Sequence, residues 1–275
     1  MTTTQTVHLS ETDLASGAWG AVQTNPVAGV SSIVWTGVTN DAAYKTTKLV
    51  MRRVPSGRYM LGGSYPVTLT KEAYVGVFEI TQAQWDRITG ASSSTLTPVS
   101  SKPYLEIRGS SVGTNWPPSH AVDPGSFIDK LRKMTGREGF DLPTEAQWEY
   151  FCRAGTTSFY YDGVSTDATY TGVLGTLAWW SGNSGGKKQP VGGKLPNAWG
   201  LYDTIGNLME WCLDWYGTPL AGGTDPAGPA SGTARAFRGG CYSTAAAAAS
   251  VAYRWNVAPT STAQILGFRV ILNLP

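Results

Sequence analysis

The sequence predicts one main domain of mixed fold, in which short helices and short strands alternate with long, aromatic-anchored loops. Three observations lead there. The 275 residues include 33 Gly, 16 Pro and 11 Trp but only 15% charged residues, a composition of turns and bulky anchors rather than of long amphipathic helices. Helix signals are confined to three segments, each followed by a Gly that can stop it. From Thr156 to Gly240, Gly, Trp and Pro recur too often for regular helix over most of the span.

Residues 1–47 read as a leader with a few short strands, rich in Thr, Ser, Ala, Gly and Val, with Trp19 and Trp35 as the only large anchors. The main domain is placed at 48–275. Its first stretch, Leu49 to Gly63, alternates and then breaks at Pro and Gly, as a strand and turn would. Two segments, TQAQWDRITG (Thr81–Gly90) and TEAQWEYFCRAG (Thr144–Gly155), open with Thr followed three residues later by Gln. Each can close a capping box and end at a left-handed Gly C-cap. Helical spacing places Trp85 with Ile88 on one face, and Trp148 with Phe151 and Cys152 on another. A third helix is predicted at Phe127–Met134, where Phe127, Leu131 and Met134 share a face and Gly136 follows.

The segment GNLMEWCLDWYG (Gly206–Gly217) places Glu210 and Asp214 four apart, which on a helix would make an acid pair or a cation site. The favoured reading is structural: Trp211 and Trp215 are core anchors, and the acids satisfy backbone donors or pair with Arg. Gly222–Gly232, with Pro226 and Pro229, reads as an exposed loop within the domain. The C-terminal tract Arg238–Arg269 is chemically mild, with Gly/Arg/aromatic brackets around Ala, Ser and Thr. Ala245 to Ala249 favour a short helix on propensity alone, whereas the Gly, Pro and Ser/Thr clusters around them favour loop. Loop is the reading adopted.

Composition also excludes. Lys plus Arg number 21 against 19 Asp plus Glu, a net charge of +2, so there is no electrostatic footprint for nucleic acid or an anionic membrane. No apolar run is long enough to span a bilayer, and the N-terminus lacks the layout of a signal peptide. Cys152, Cys212 and Cys241 form no CxxC pair and allow at most one disulfide. With only His8 and His120 in the chain, a His-built metal site is excluded. G-x-S-x-G elbows, phosphate loops and dinucleotide fingerprints are absent. Calcium binding through Gly/Asp-rich loops is permitted by composition without being indicated. No catalytic residue, metal or cofactor is assigned.

Six motifs in order carry a family resemblance: GRYMLGG (57–63), EITQAQWDRITG (79–90), LPTEAQWEYFCRAG (142–155), PNAWGLYDTIGNLMEW (196–211), RGG (238–240) and GFRV (267–270). Over about residues 48–273 the chain resembles the formylglycine-generating enzyme and sulfatase-modifying factor family. The resemblance implies an α+β, C-type-lectin fold of the formylglycine-generating-enzyme subtype, with a small twisted antiparallel sheet, a few short helices and much irregular loop. Oxidase members of that family carry two copper-binding cysteines, and their register falls here on Thr244 and Ala249, neither of which supplies a thiolate.

The C-terminal tract also resembles the variable region of proteins diversified by retroelements, of the treponemal type. Arg238, Gly239, Gly240, Ala246, Ala249, Ala252, Arg254, Pro259, Leu266, Gly267, Phe268 and Arg269 form the matching frame. The resemblance implies that the positions between are altered by adenine-directed mutagenesis and bind ligand: Tyr242, Ser243, Thr244, Ala245, Ala247, Ala248, Tyr253, Trp255, Asn256, Val257, Thr260, Ser261, Ala263, Gln264 and Ile265. Trp255 and Gln264 depart from the pattern, because neither arises from an Asn codon changed only at its adenines with the last base kept. Tyr242 and Ser250 stand where the frame often has Trp and Arg. Sugar binding through EPN or QPD and WND triplets is not supported, since Trp255-Asn256-Val257 is only a partial echo.

The function expected from this resemblance is non-enzymatic, receptor- or adhesin-like binding of a protein or other macromolecular ligand, with nucleic acid excluded and a monomer as the default state. Display at the cell surface or export is expected, with a lipid anchor supplied by an N-terminal segment that this sequence does not contain. The alternatives are a formylglycine-generating-type oxidoreductase with a relocated site near Cys241, and a structural surface protein without ligand.

Overall fold

The computed structural model describes residues 5–27, 36–110 and 121–274. Trp35 and His120 lie outside the described residues. The chain begins with strands β1 (Gln5–Asp13) and β2 (Trp19–Val27), followed by the short helix α1 (Thr36–Asn40). Strands β3 (Lys48–Val54), β4 (Gly57–Leu61), β5 (Tyr65–Leu69) and β6 (Ala73–Gly76) come next. Helices α2 (Gln82–Thr89), α3 (Tyr104–Ile107) and α4 (Phe127–Thr135) lead to β7 (Phe140–Asp141) and α5 (Glu145–Arg153). The remainder is α6 (Thr171–Leu177), β8 (Met209–Trp215), β9 (Gly223–Thr224), β10 (Arg235–Arg238), β11 (Arg254–Val257), β12 (Leu266–Gly267) and β13 (Ile271–Asn273).

The described residues form three sheets, ordered β2-β1-β3-β6-β13-β7, β11-β10-β8-β12 and β4-β5-β9. In the first, β1 pairs antiparallel with β3, so the N-terminal hairpin continues the sheet that holds the C-terminal strand β13. The second carries the region of interest, with β10 antiparallel to both β8 and β11.

The three helices predicted from the sequence form. Thr81 and Thr144 each accept the N–H of the Gln three residues on, and that Gln's side chain accepts the Thr N–H in return. These reciprocal bonds satisfy donors that a helix start leaves orphaned. Ser126 caps α4, and Gly90 and Gly136 close α2 and α4 in the left-handed region. In α5 the left-handed residue is Ala154 (φ 47°) rather than Gly155, which follows it with φ 90°. Nearly every side chain of α5 is buried, including Glu145, Glu149 and Arg153.

Two elements differ from expectation. Helix α6 interrupts the Gly-rich span although its sequence, TGVLGTL, contains two Gly and has no side-chain cap; burial of Leu174 and Leu177 outweighs poor propensity. The C-terminal tract is loop for most of its length, but Arg254–Val257 form strand β11 against β10. The alanines give a single 3-10 turn at Ala246–Ala248, too short for helix propensity to accumulate. GNLMEWCLDWYG is built around strand β8, where Trp211 is fully buried and Trp215 is half-buried. Trp148, Phe151, Tyr202 and Cys212 lie in one apolar cluster, and Trp85, Phe127, Trp211 and Phe268 in a second.

Candidate ligand-binding face

Three arginines fasten the C-terminal tract to the core. Arg269, wholly buried, bonds both oxygens of Glu210 and donates to the carbonyls of Gly76 (3.0 Å) and Tyr202 (2.9 Å). Glu210 Oε2 also accepts Trp148 Nε1–H (2.8 Å). Arg238, also buried, pairs with Glu149 and donates to Ala252 O (3.0 Å). Arg254 grips Glu145 with two nitrogens (2.6 and 2.8 Å) and gives its third to Gly217 O (2.9 Å). The planar guanidinium fork suits such bidentate contacts. Removing one partner of a buried pair would leave an uncompensated charge.

After Arg238, the chain needs two consecutive residues with positive φ, Gly239 (93°) and Gly240 (71°). A Cβ on Gly240 would stand 2.4 Å from Ala248 O. That close approach brings the alanine turn back over the start of the tract. Cys241 and Thr244 close a tight turn: the Thr244 N–H and Oγ1–H both donate to Cys241 O (3.1 and 2.9 Å).

Fixed loops elsewhere hold this turn. The Tyr242 N–H donates to Asn207 O (2.8 Å), Ser184 Oγ donates to Tyr242 O (2.7 Å), and the Ser181 N–H donates to Thr244 O (3.1 Å). At the far end, Met209 N–H donates to Ile265 O (2.9 Å) and Leu105 N–H to Pro259 O (3.4 Å). Ser181, Ser184 and Asn207 were not among the residues singled out from the sequence. Asn207, with φ 56°, belongs to a recognisable Gly-Asn step; the two serines carry no such signal.

Of the fifteen positions implied by the resemblance, Ser243, Ala245, Ala247, Trp255, Thr260 and Gln264 are exposed. Tyr242, Thr244, Ala248, Tyr253, Asn256, Val257, Ser261, Ala263 and Ile265 are half-buried. Not one of the fifteen is buried, and none is charged. Among frame residues, Arg238, Gly239, Gly240, Ala246, Ala249, Leu266, Gly267, Phe268 and Arg269 are buried, whereas Arg254 and Pro259 are half-buried and Ala252 is exposed. Trp255, 58% exposed, stands on the edge strand β11 opposite Phe237. Tyr242, Tyr253, Val257, Ala263 and Ile265 pack their inner sides on the second core cluster.

The groups on this face are hydroxyls, methyls, amides and aromatic rings. Positions 244 and 249 hold a hydroxyl and a methyl group. Cys241 is buried with its sulfur 3.2 Å from Ser243 Oγ. Burial pushes the Cys152 thiol up to about 12 and raises that of Cys212 as well, which suppresses thiolate formation. All three cysteines are free. Glu210 and Asp214 do not form an acid pair: Glu210 serves Arg269 and Trp148, while Asp214 accepts the Glu145 N–H at the start of α5 (2.8 Å). Among the described residues, no group of three or more His, Cys, Asp or Glu is placed to hold a metal ion, and no helix is long and apolar enough to cross a membrane.

Curled antiparallel sheets, few helices and a C-terminal tract looped across the second sheet define a mixed α/β protein with a C-type-lectin-like fold. The model of the sulfatase-modifying factor enzyme 1-like domain matches residues 38–274, and the chain belongs to that family. It is 34% identical over 169 residues to the formylglycine-generating enzyme of Thermomonospora curvata, covering 55% of each chain. The chain thus spans about half the length of the curated relatives it matches. Among solved structures, Treponema denticola variable protein 1 superposes with a TM-score of 0.65 at 25% identity, over 83% of this chain and 96% of that one. PvdO from Pseudomonas aeruginosa superposes with a TM-score of 0.64 at 20% identity, over 82% and 95% respectively, a likeness of fold.

Proposed function

We propose that the protein is a non-enzymatic binding protein, displayed at the cell surface, whose tract Arg238–Arg269 is diversified by a retroelement to change the macromolecule it binds. The observation that carries the reading is the partition of that tract. Bracket residues are buried in ion pairs and Gly contacts, while all fifteen intervening positions keep solvent-accessible side chains. Side chains at the six exposed positions, Ser243, Ala245, Ala247, Trp255, Thr260 and Gln264, can change without opening a core cavity or stranding a buried charge. Similarity to a variable protein over most of both chains supports the same reading.

An uncharged face with three aromatic residues suits a protein partner. Tyr and Trp supply large contacts at low entropic cost, and Ser and Asn adapt their hydrogen bonds. Tyr242, Tyr253 and Trp255 are the large contacts, with Ala, Ser and Thr between them. An oxidoreductase of the family's kind would need thiolates near this tract, and the residues at 244 and 249 do not provide them.

The test lies in the DNA downstream of the gene. A near-copy of the codons for Arg238–Arg269, differing only at adenines and lying beside a reverse transcriptase gene, is the expected finding. A downstream region without such a copy contradicts diversification.

A further inference from the structure

A cavity of about 190 Å3 lies between α5, the end of β8 and the loop that follows it, with Arg254 in its wall. Its walls are rigid and apolar: Leu61, Leu220, Pro219, Pro226 and Pro229. Its polar groups are Glu145, Asp214 and Arg254. The volume is room for about six water-sized groups, the scale of a short alkyl chain with one polar head.

The two carboxylates in this cavity are not equivalent. Glu145 is matched by Arg254 at 2.6 Å and Arg238 at 3.6 Å. Asp214 is equally buried, yet among the described residues no cationic nitrogen lies within ion-pair distance of it; its partner is the Glu145 N–H. Arg254 is committed through all three nitrogens to Glu145 and Gly217 O. Arg235 donates to Leu213 O and stacks on Trp215. Burial, reinforced by the charge of Glu145 and only partly offset by the Glu145 N–H and the more distant charge of Arg235, raises Asp214 to about 8, the behaviour of a buried carboxyl with no cation in direct contact.

We propose that this cavity binds a primary alkylammonium group, its stem against the proline walls and its nitrogen at Asp214. A cation there would complete the buried carboxylate with a charge-assisted hydrogen bond, while the stem takes apolar surface out of water. The same chemistry occurs in a free amine and in a lysine side chain presented by a partner. The site uses none of the fifteen variable positions and stands or falls apart from their role.

The experiment is an amide NMR titration of the full chain with n-butylammonium, with n-butanol and Nα-acetyl-lysinamide as parallel probes. Saturable shifts at Gly217, Leu220 and Gly228 are expected with butylammonium, and binding about tenfold weaker or more with butanol. Asp214→Asn keeps an oxygen for the Glu145 N–H and should weaken butylammonium to the level of butanol. Leu220→Trp should block both probes by filling the cavity while leaving the carboxylate in place. Binding of acetyl-lysinamide as well supports a partner's lysine, whereas binding of butylammonium alone supports a free amine. No saturable shift, equal binding of butanol, or unchanged affinity in Asp214→Asn would overturn the proposal.

Discussion

The brackets and the interior of the tract Arg238–Arg269 are made on opposite principles. At the brackets, Arg238 and Arg269 are wholly buried and meet Glu149 and Glu210, so their geometry is tied to α5, β8 and the carbonyls of Gly76, Tyr202 and Ala252. In the interior, Ser243, Ala245, Ala247 and Trp255 face water, while the backbone of Tyr242 and Thr244 is held by Ser181 N–H, Ser184 Oγ and Asn207 O, and that of Trp255 by pairing with β10. Position is therefore fixed by groups that do not depend on the displayed side chains. This separation lets a loop keep one shape through many sequences.

The ion pairs carry the largest expected effect. Glu210→Ala would leave the Arg269 guanidinium buried without its counter-charge and strip Trp148 Nε1 of its acceptor, at a cost of about 3–5 kcal/mol. Urea unfolding should show a collapsed midpoint or no cooperative transition. Gly240→Ala comes next: positive φ and a Cβ driven toward Ala248 O should cost about 1–3 kcal/mol of stability. A paired test sharpens the contrast within the alanines. Ala249→Leu, at a fully buried site, should cost about 1–3 kcal/mol by overpacking, while Ala247→Leu on the exposed side should stay within about 0.5 kcal/mol in the same thermal melts. Trp255→Ala should leave stability almost unchanged and weaken a bound partner by about 2 kcal/mol in calorimetry; unaltered affinity would move the contact surface elsewhere.

Local chemistry made part of this legible in the sequence. Capping boxes at Thr81 and Thr144 and the Gly stops at 90 and 136 depend on neighbours a few residues away, so spacing alone revealed them. Helix α6 was hidden because its stability comes from Leu174 and Leu177 meeting a core assembled from distant segments. Strand β11 was hidden for the same reason: nothing in RWNV announces pairing with RAFR across the alanine turn. The arginines of the frame were readable as fixed points through family likeness, and Glu210 as an acid that could pair with Arg, but which arginine it meets, and the partners Glu145 and Glu149, were not, since ion pairs across 59 to 109 positions leave no local trace. Ala252 shows the limit of the frame: it matches the pattern yet is exposed, and its carbonyl, rather than its methyl group, meets Arg238.

A replaceable face on a fixed frame should accept new side chains at the six exposed positions, Ser243, Ala245, Ala247, Trp255, Thr260 and Gln264, and a displayed library randomised there and selected on a chosen protein measures this directly. The selection should yield binders that unfold within about 1 kcal/mol of the parent, as surface substitutions do, and that lose affinity when those six residues are reverted. Failure to recover folded binders, or binders indifferent to reversion, would contradict it.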